Sequence, residues 1–285
     1  MQPQRSNAGR YARKVAKKIS SISISMAIKQ QGLSDTVARL REIVPDISHQ
    51  ESSEQASFND YLELKRRSLQ SFQCTLMLKA IKDINKHSLM VVDIGDSAGT
   101  HMLYLKALTT GIFDVDTVSV NLDPRAIEKI RARGMTAMLC RAEDFSMDNR
   151  GVDLFTSFQM VEHLHNPALF FRRLAIKSSG NRMVVTVPYL KKSRVGLHHV
   201  RLCTQGKVYA EDEHIFELCP EDWSLLMLHA GWRVVYDDIY FQYPRLPFFN
   251  PFLSWYWRKT DYEGFWGCII EKDTSLSDRY QDWED

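Results

Sequence analysis

Glu162 and His163 stand side by side in the segment Phe158-Gln159-Met160-Val161-Glu162-His163-Leu164-His165-Asn166-Pro167. The segment follows Val152-Asp153-Leu154-Phe155-Thr156-Ser157 directly. That apolar run reads as a buried strand, so the pair falls on the loop at its end. An imidazole titrates near neutrality and can draw a proton from a hydroxyl or an amine. His163 is therefore the candidate catalytic base. The competing reading is that Glu162 and His163 hold the loop in shape by hydrogen bonds.

A second segment with chemical content is Leu89-Met90-Val91-Val92-Asp93-Ile94-Gly95-Asp96-Ser97-Ala98-Gly99-Thr100. It opens as a buried strand, turns at Gly95 and Gly99, and enters a helical pattern through Met102, Leu103 and Leu105. Glycines after a strand let the backbone come close to a ligand, and the helix points its N–H groups at the turn. A nicotinamide site prefers Gly-x-Gly-x-x-Gly. Here the spacing is Asp-x-Gly-x-Ser-x-Gly. The acid before the glycines repels a pyrophosphate and suits a ligand with hydroxyls and an ammonium group.

His198, His199 and His214 gather near Glu211, Asp212 and Glu213. Their spacing matches no metal-ligand pattern, and no metal is expected from it.

The two segments together resemble the class I S-adenosylmethionine-dependent methyltransferases. Asp93 to Gly99 is similar to that family's first motif, Asp-x-Gly-x-Gly-x-Gly, with Ser97 in place of the middle glycine. The Glu162-His163 segment is similar to the stretch that small-molecule members carry after strand four. The resemblance covers about residues 89–270. It implies a doubly wound α/β fold with a mostly parallel seven-stranded sheet, and S-adenosyl-L-methionine as cofactor. It implies that Asp93, Gly95, Ser97 and Gly99 hold the cofactor's amino-acid end. Asn121 or Asp123, at the end of the second strand, then meets the ribose. Ala142 with Glu143 or Asp144 meets the adenine, Arg141 standing where an acid is usual, and Phe158 adds a further contact. Tyr189, His198, His199 and His214 fall where the family binds its acceptor. That acceptor is a small molecule or a glycan, methylated on oxygen or nitrogen. The alternative is a non-catalytic binding or scaffold protein on the same fold, with Ser97, Asn121 and Arg141 marking a decayed pocket.

The elements that must position these residues follow from periodicity. Phe58, Tyr61, Leu62, Leu69, Phe72, Leu76 and Ala80 make one apolar helix face over 58–84. Strands are predicted at 117–122, 136–140, 152–157, 182–187, 232–236 and 264–270. Asp123-Pro124 and Asn166-Pro167 are helix starts, each an N-cap followed by proline. Residues 189–213 and 240–262 read as substrate-side insertions. The second contains Tyr243-Pro244-Arg245-Leu246-Pro247-Phe248-Phe249-Asn250-Pro251, whose prolines argue against a long helix or strand. Its aromatic residues pack over the core, wall an acceptor site or meet lipid.

Composition bounds the rest. The chain has 285 residues, 44% apolar and 25% charged, with a net charge of +2. Those values suit an ordinary globular protein. They give no reason to expect nucleic acid, and no Asn-Pro-Pro-Tyr-type segment follows the fourth strand. The five cysteines are widely spaced with no Cys-x-x-Cys, so reduced thiols and a cytoplasmic location are expected. No apolar run approaches the ~20 residues of a membrane span. Residues 1–57 read as a basic tail and a loosely ordered helical arm, with peripheral contact to an anionic membrane left open. Residues 58–273 read as the catalytic domain and 274–285 as a frayed acidic tail. Oligomeric state has no signature in the sequence.

Overall fold

The computed structural model describes residues 7–48, 58–145, 151–196, 207–208 and 213–280. Three helices come first: α1 (Asn7–Gln30), α2 (Ser34–Ile43) and α3 (Asp60–Lys82). Then follow β1 (Ser88–Ile94), α4 (Thr100–Thr109), β2 (Asp114–Asn121), α5 (Pro124–Ala132) and β3 (Thr136–Leu139). A 3-10 turn at Ala142–Asp144 leads on towards β4 (Leu154–Phe158), α6 (Pro167–Lys177) and β5 (Arg182–Pro188). A short hairpin of β6 (Arg194–Val195) and β7 (Phe216–Glu217) precedes α7 (Pro220–His229) and β8 (Trp232–Phe241). The last elements are α8 (Asn250–Thr260) and β9 (Gly264–Lys272).

The main sheet has seven strands in the order β3-β2-β1-β4-β5-β9-β8. Its first five are parallel, and β9 runs antiparallel to both β5 and β8. This is the expected doubly wound, mostly parallel arrangement. Alternate residues of each strand feed opposite faces. Val91, Leu154, Val184 and Ile269 pack beneath α1 to α5, and Val92, Phe155, Val185 and Ile270 beneath α6 and α7. The order reverses beside β1, so the loops after β1, β2 and β4 meet over one crevice.

The caps form as read. Asp123 accepts from Arg125 N at 3.0 Å and Asn166 from Leu169 N at 3.0 Å, each with proline next.

The N-terminal segment differs from the expected tail and arm. α1 is a 24-residue helix, and Ser20, Ser23, Ile24, Ala27 and Ile28 are buried. Ser23 Oγ donates to the Gln242 carbonyl at 3.1 Å and accepts from Trp257 Nε1 at 3.1 Å. The Gln31 amide pairs with both the N–H and the C=O of Phe241, on edge strand β8. Charge and serine content hid this, because the apolar stripe is narrow and its partners lie over two hundred positions away.

Arg67 completes the anchoring. Its guanidinium is fully buried and donates to the Leu40, Val44 and Pro45 carbonyls at and just beyond the end of α2, to Tyr104 Oη and to Glu63. One planar fork thus satisfies backbone acceptors that a helix end leaves unpaired.

The second insertion also differs. α8 forms because Pro251 falls in its first turn, where no N–H is needed. Only Pro244 and Pro247 stay outside it. The acidic tail is structured as far as Tyr280: Ser277 is buried and Tyr280 Oη meets His229.

Candidate active site

The turn after β1 is built around two carboxylates. Asp93 lies in register with Ser119 of β2 and Thr156 of β4. Thr156 Oγ1 donates to Asp93 Oδ1 at 2.8 Å. Asp93 Oδ2 is buried and meets no hydrogen-bond partner among the described residues, with His101 Nδ1 3.8 Å away. Burial, and then the neighbouring Asp96, push the Asp93 carboxyl well above the usual carboxylate range. Asp96 is fully engaged: Oδ1 accepts from Ala98 N and Gly99 N, and Oδ2 from Ser119 Oγ at 2.7 Å.

Gly95 and Gly99 sit at φ +95° and +74°, a region glycine enters without strain. A Cβ on Gly95 would also stand 2.5 Å from Met160 Cγ, so the loop after β4 closes directly on this turn. Ser97 is half-buried between them.

The ribose candidates carry structural bonds. Asn121 Nδ2 donates to the Asp96 carbonyl at 2.9 Å, and Asn121 Oδ1 accepts from Asp123 N at 2.8 Å. Asp123 caps α5 and pairs with Arg125 at 3.2 Å; burial raises its carboxyl, but the hydrogen bonds and charge of Arg125 together outweigh that and hold it below the usual range. Ala142 and Glu143 form the 3-10 turn after β3, held from α6 by Arg173 donating to the Glu143 carbonyl at 2.7 Å.

Phe158 ends β4 and packs tilted against His101, with ring centroids 4.6 Å apart. Burial holds the His101 imidazole neutral, down to about 4. His101 Nε2 bonds Gln73 Oε1, and the Gln73 and Gln159 amides both donate to Thr186 Oγ1. Gln159 stands at φ +54°, a strained position for a residue with a side chain, and this network fixes it. The turn it creates carries the chain into Val161–His163.

Glu162 there is 1% exposed, and neither carboxylate oxygen meets a hydrogen-bond partner among the described residues. Burial pushes its carboxyl up to about 7, opposed by the charge of His214. His163 Nδ1 lies 2.9 Å from the Glu213 carbonyl, which can only accept, so that nitrogen carries the hydrogen. His214 Nδ1 lies 2.9 Å from Tyr262 Oη, which donates onward to Glu217. Arg194 closes the chain on Glu217. The His163 and His214 rings meet edge to face at 4.6 Å. Tyr189 is half-buried against Phe241 at 5.6 Å. His198 and His199 lie outside the described residues.

The structure therefore brings Asp93, Gly95, Ser97 and Gly99 after β1 beside Asn121 and Asp123 after β2, and His163 after β4 against His214 before β7. Sequence reasoning missed Asp96, His101, Gln73, Thr156, Tyr262 and Glu217. Only Asp96 had a local signal, an acid just before a helix start. A surface hollow lined by Thr75, Leu78, Lys79, Lys82 and Asp83 lies near the start of β1, on another part of the molecule.

No protein-family model matches the sequence, and neither does any curated protein. Solved structures do match in fold. A Galdieria sulphuraria protein assigned as a sarcosine dimethylglycine methyltransferase superposes with TM-score 0.54 at 12% identity, over 86% of this chain and 98% of its own. The [4+2]-cyclase SpnF gives 0.52 at 11% identity, over 87% and 97%. A Haloferax volcanii protein described as a methyltransferase, in complex with the Trm112 methyltransferase activator, gives 0.51 at 12%, over 73% and 94%. This chain has the class I S-adenosylmethionine-dependent methyltransferase fold. The cyclase shows that the fold alone does not name the reaction.

Proposed function

We propose that this chain is an S-adenosylmethionine-dependent methyltransferase acting on an oxygen or nitrogen of a small-molecule or glycan acceptor. One observation carries the reading: the orphaned Asp93 Oδ2, buried at the carboxyl end of β1 beside two positive-φ glycines. A buried acceptor without a donor fits a ligand that brings an ammonium group. The cofactor supplies an activated methyl group on a sulfonium, already a good leaving group.

The chain's own work is positioning and exclusion of water. Asp93 receives the ammonium, and Gly95, Ser97 and Gly99 allow the backbone to approach. Asn121 keeps one lone pair on Oδ1 for a ribose hydroxyl, and Asp123 stands next to it. Ala142 and Glu143 would hold the adenine, and Phe158, packed against His101, would add a further contact to the cofactor. His163 takes the acceptor proton where the acceptor is a hydroxyl, while Tyr189 and His214 line the acceptor side. His198 and His199 are assigned to the same side by sequence position alone. The expected residence is the cytoplasm.

The scaffold reading draws on one feature, the engagement of both ends of the Asn121 amide. Isothermal titration with S-adenosylmethionine, and separately with S-adenosylhomocysteine, decides between them. Micromolar binding of both supports the enzyme and starts an acceptor screen. A folded sample that binds neither is a scaffold.

A further inference from the structure

We propose that Glu162, His163 and His214 form a binding site for one divalent transition-metal ion. One ligand atom from each lies within 4.8 Å of the others. Donors around an ion at ~2.1 Å stand roughly 3–3.5 Å apart, so a small inward movement of the side chains closes the site.

Three observations carry the proposal. First, Glu162 is 1% exposed and both oxygens lack hydrogen-bond partners among the described residues. A buried carboxylate in that condition calls for a cation. Second, both imidazoles are held through Nδ1. His163 donates there to the Glu213 carbonyl. His214 donates there to Tyr262, whose hydroxyl is drawn to the Glu217 carboxylate. With Nδ1–H so anchored, Nε2 is the atom that gives up its proton and offers a lone pair to an ion, and such outer partners are the usual support of metal-bound histidines. Third, the comparable trio Asp93, Asp96 and His101 lacks this character. Asp96 accepts three hydrogen bonds and Asp93 Oδ1 takes one from Thr156, so of these four carboxylate oxygens Asp93 Oδ2 alone stays open among the described residues, whereas Glu162 leaves both of its oxygens open.

Two imidazoles and one carboxylate suit zinc, manganese, iron or cobalt better than magnesium or calcium. Three protein ligands leave coordination positions for oxygen atoms of a bound molecule. Under the methyl-transfer reading, on which only this clause rests, an acceptor hydroxyl bound there is acidified by the ion, and His163 serves as a ligand instead of a base.

The test uses the untagged full chain, stripped with chelator and titrated with Co²⁺ alone, followed by visible absorption. The expected result is one equivalent bound per chain, with affinity reduced at least tenfold in Glu162→Gln and in His214→Gln. Tyr262→Phe loses affinity more mildly, through its effect on His214. Unchanged circular dichroism in each variant confirms folding. Absence of saturable Co²⁺ binding by the wild type overturns the site, as does full binding by the Glu162→Gln/His163→Gln/His214→Gln triple variant. Metal uptake is read without the methyl donor, so failure here leaves the cofactor titration to stand or fall by itself.

A separate surface carries a second inference. Val15, Ile19, Ile22 and Met26 of α1 are 41–54% exposed and recur every three or four residues, one stripe along the helix. On α8 and the segment leading into it, Phe248, Phe249, Phe252 and Trp255 are 94%, 63%, 62% and 53% exposed. The two groups belong to neighbouring segments: Ser20 bonds Tyr256, Ser23 bonds Trp257 and Gln30 bonds the Arg245 carbonyl. Lys17, Lys18, Lys29, Arg245, Arg258 and Lys259 on these segments are exposed too.

We infer that this face docks on an anionic lipid surface. Aromatic residues framed by cations suit the headgroup boundary, and the charge selects the lipid. Sedimentation with vesicles of phosphatidylcholine alone, or with phosphatidylglycerol added, tests it. Binding to the anionic vesicles only, abolished by Phe248→Glu/Phe252→Glu, is expected. No binding to either vesicle overturns the inference, as does a dimer in solution that the same double variant dissociates.

Discussion

The imidazoles of His163 and His214 meet edge to face at 4.6 Å, although α6, β5 and β6 separate them in the chain. Each ring is held through Nδ1 by a different part of the fold. His163→Ala is expected to lower turnover by at least a hundredfold and to leave S-adenosylhomocysteine affinity within about threefold. Turnover and titration on one preparation check this. Unchanged turnover makes His163 structural.

Asp93→Ala is expected to weaken S-adenosylhomocysteine binding beyond detection while the fold survives. The carboxylate disfavours its own burial, so its removal relieves a charge penalty in the empty protein. A thermal melt and a titration separate the two effects. Normal affinity in this variant sinks the assignment of the β1 turn.

Arg67→Met is expected to cost about 3–5 kcal/mol, since it strips three backbone carbonyls and Glu63 of a buried cation. Arg67→Lys should recover little of this, because one ammonium cannot reach acceptors spread across a planar fork. Urea unfolding of both variants is the measurement. Near-wild-type stability in the lysine variant contradicts the hub.

Deletion of residues 1–31 removes buried Ile24 and Ile28 and the Gln31 bonds to β8. Two buried isoleucines are worth roughly 3–6 kcal/mol as an upper estimate. The truncated chain should melt earlier and aggregate through the exposed edge of β8. Wild-type melting after truncation refutes the packing role of α1.

Glu217 supplies an acid-side dependence. Burial raises its pKa, but the nearby His214 at 3.7 Å and hydrogen bonds from Arg194 and Tyr262 outweigh that and lower it to about 2 from 4.5. A depressed folded-state pKa means the contribution is present above about 4.5 and is lost as pH falls towards about 2. Glu217→Gln should therefore melt a few degrees (about 2–4 °C per kcal/mol) below wild type at pH 7. The gap should narrow between pH 4.5 and 3. Melting curves across that range test it, and a constant gap refutes it.

Much of the architecture was legible locally. The strands around Asp93, Asn121, Phe158 and Val187 announced themselves as apolar runs, and the two Asx-Pro pairs marked helix starts that form as read. α8 was less legible, because one of its prolines is a helix starter and composition does not reveal which. Asn121 and Asp123 were legible as candidates, while their engagement with the Asp96 carbonyl and α5 was not.

Local pattern sets the order of strands and helices, the glycine turn after β1 and the acid that precedes it. These depend on periodicity and backbone preference within a few residues. The tertiary structure alone decided that α1 belongs to the core and that Arg67 ties α2 to α3 and α4. It alone brought His214 to Glu162 and left both oxygens of that carboxylate without a hydrogen-bond partner among the described residues. Those outcomes rest on contacts between distant segments, where the burial of one group and the donors around it are set by chain that a local pattern cannot see.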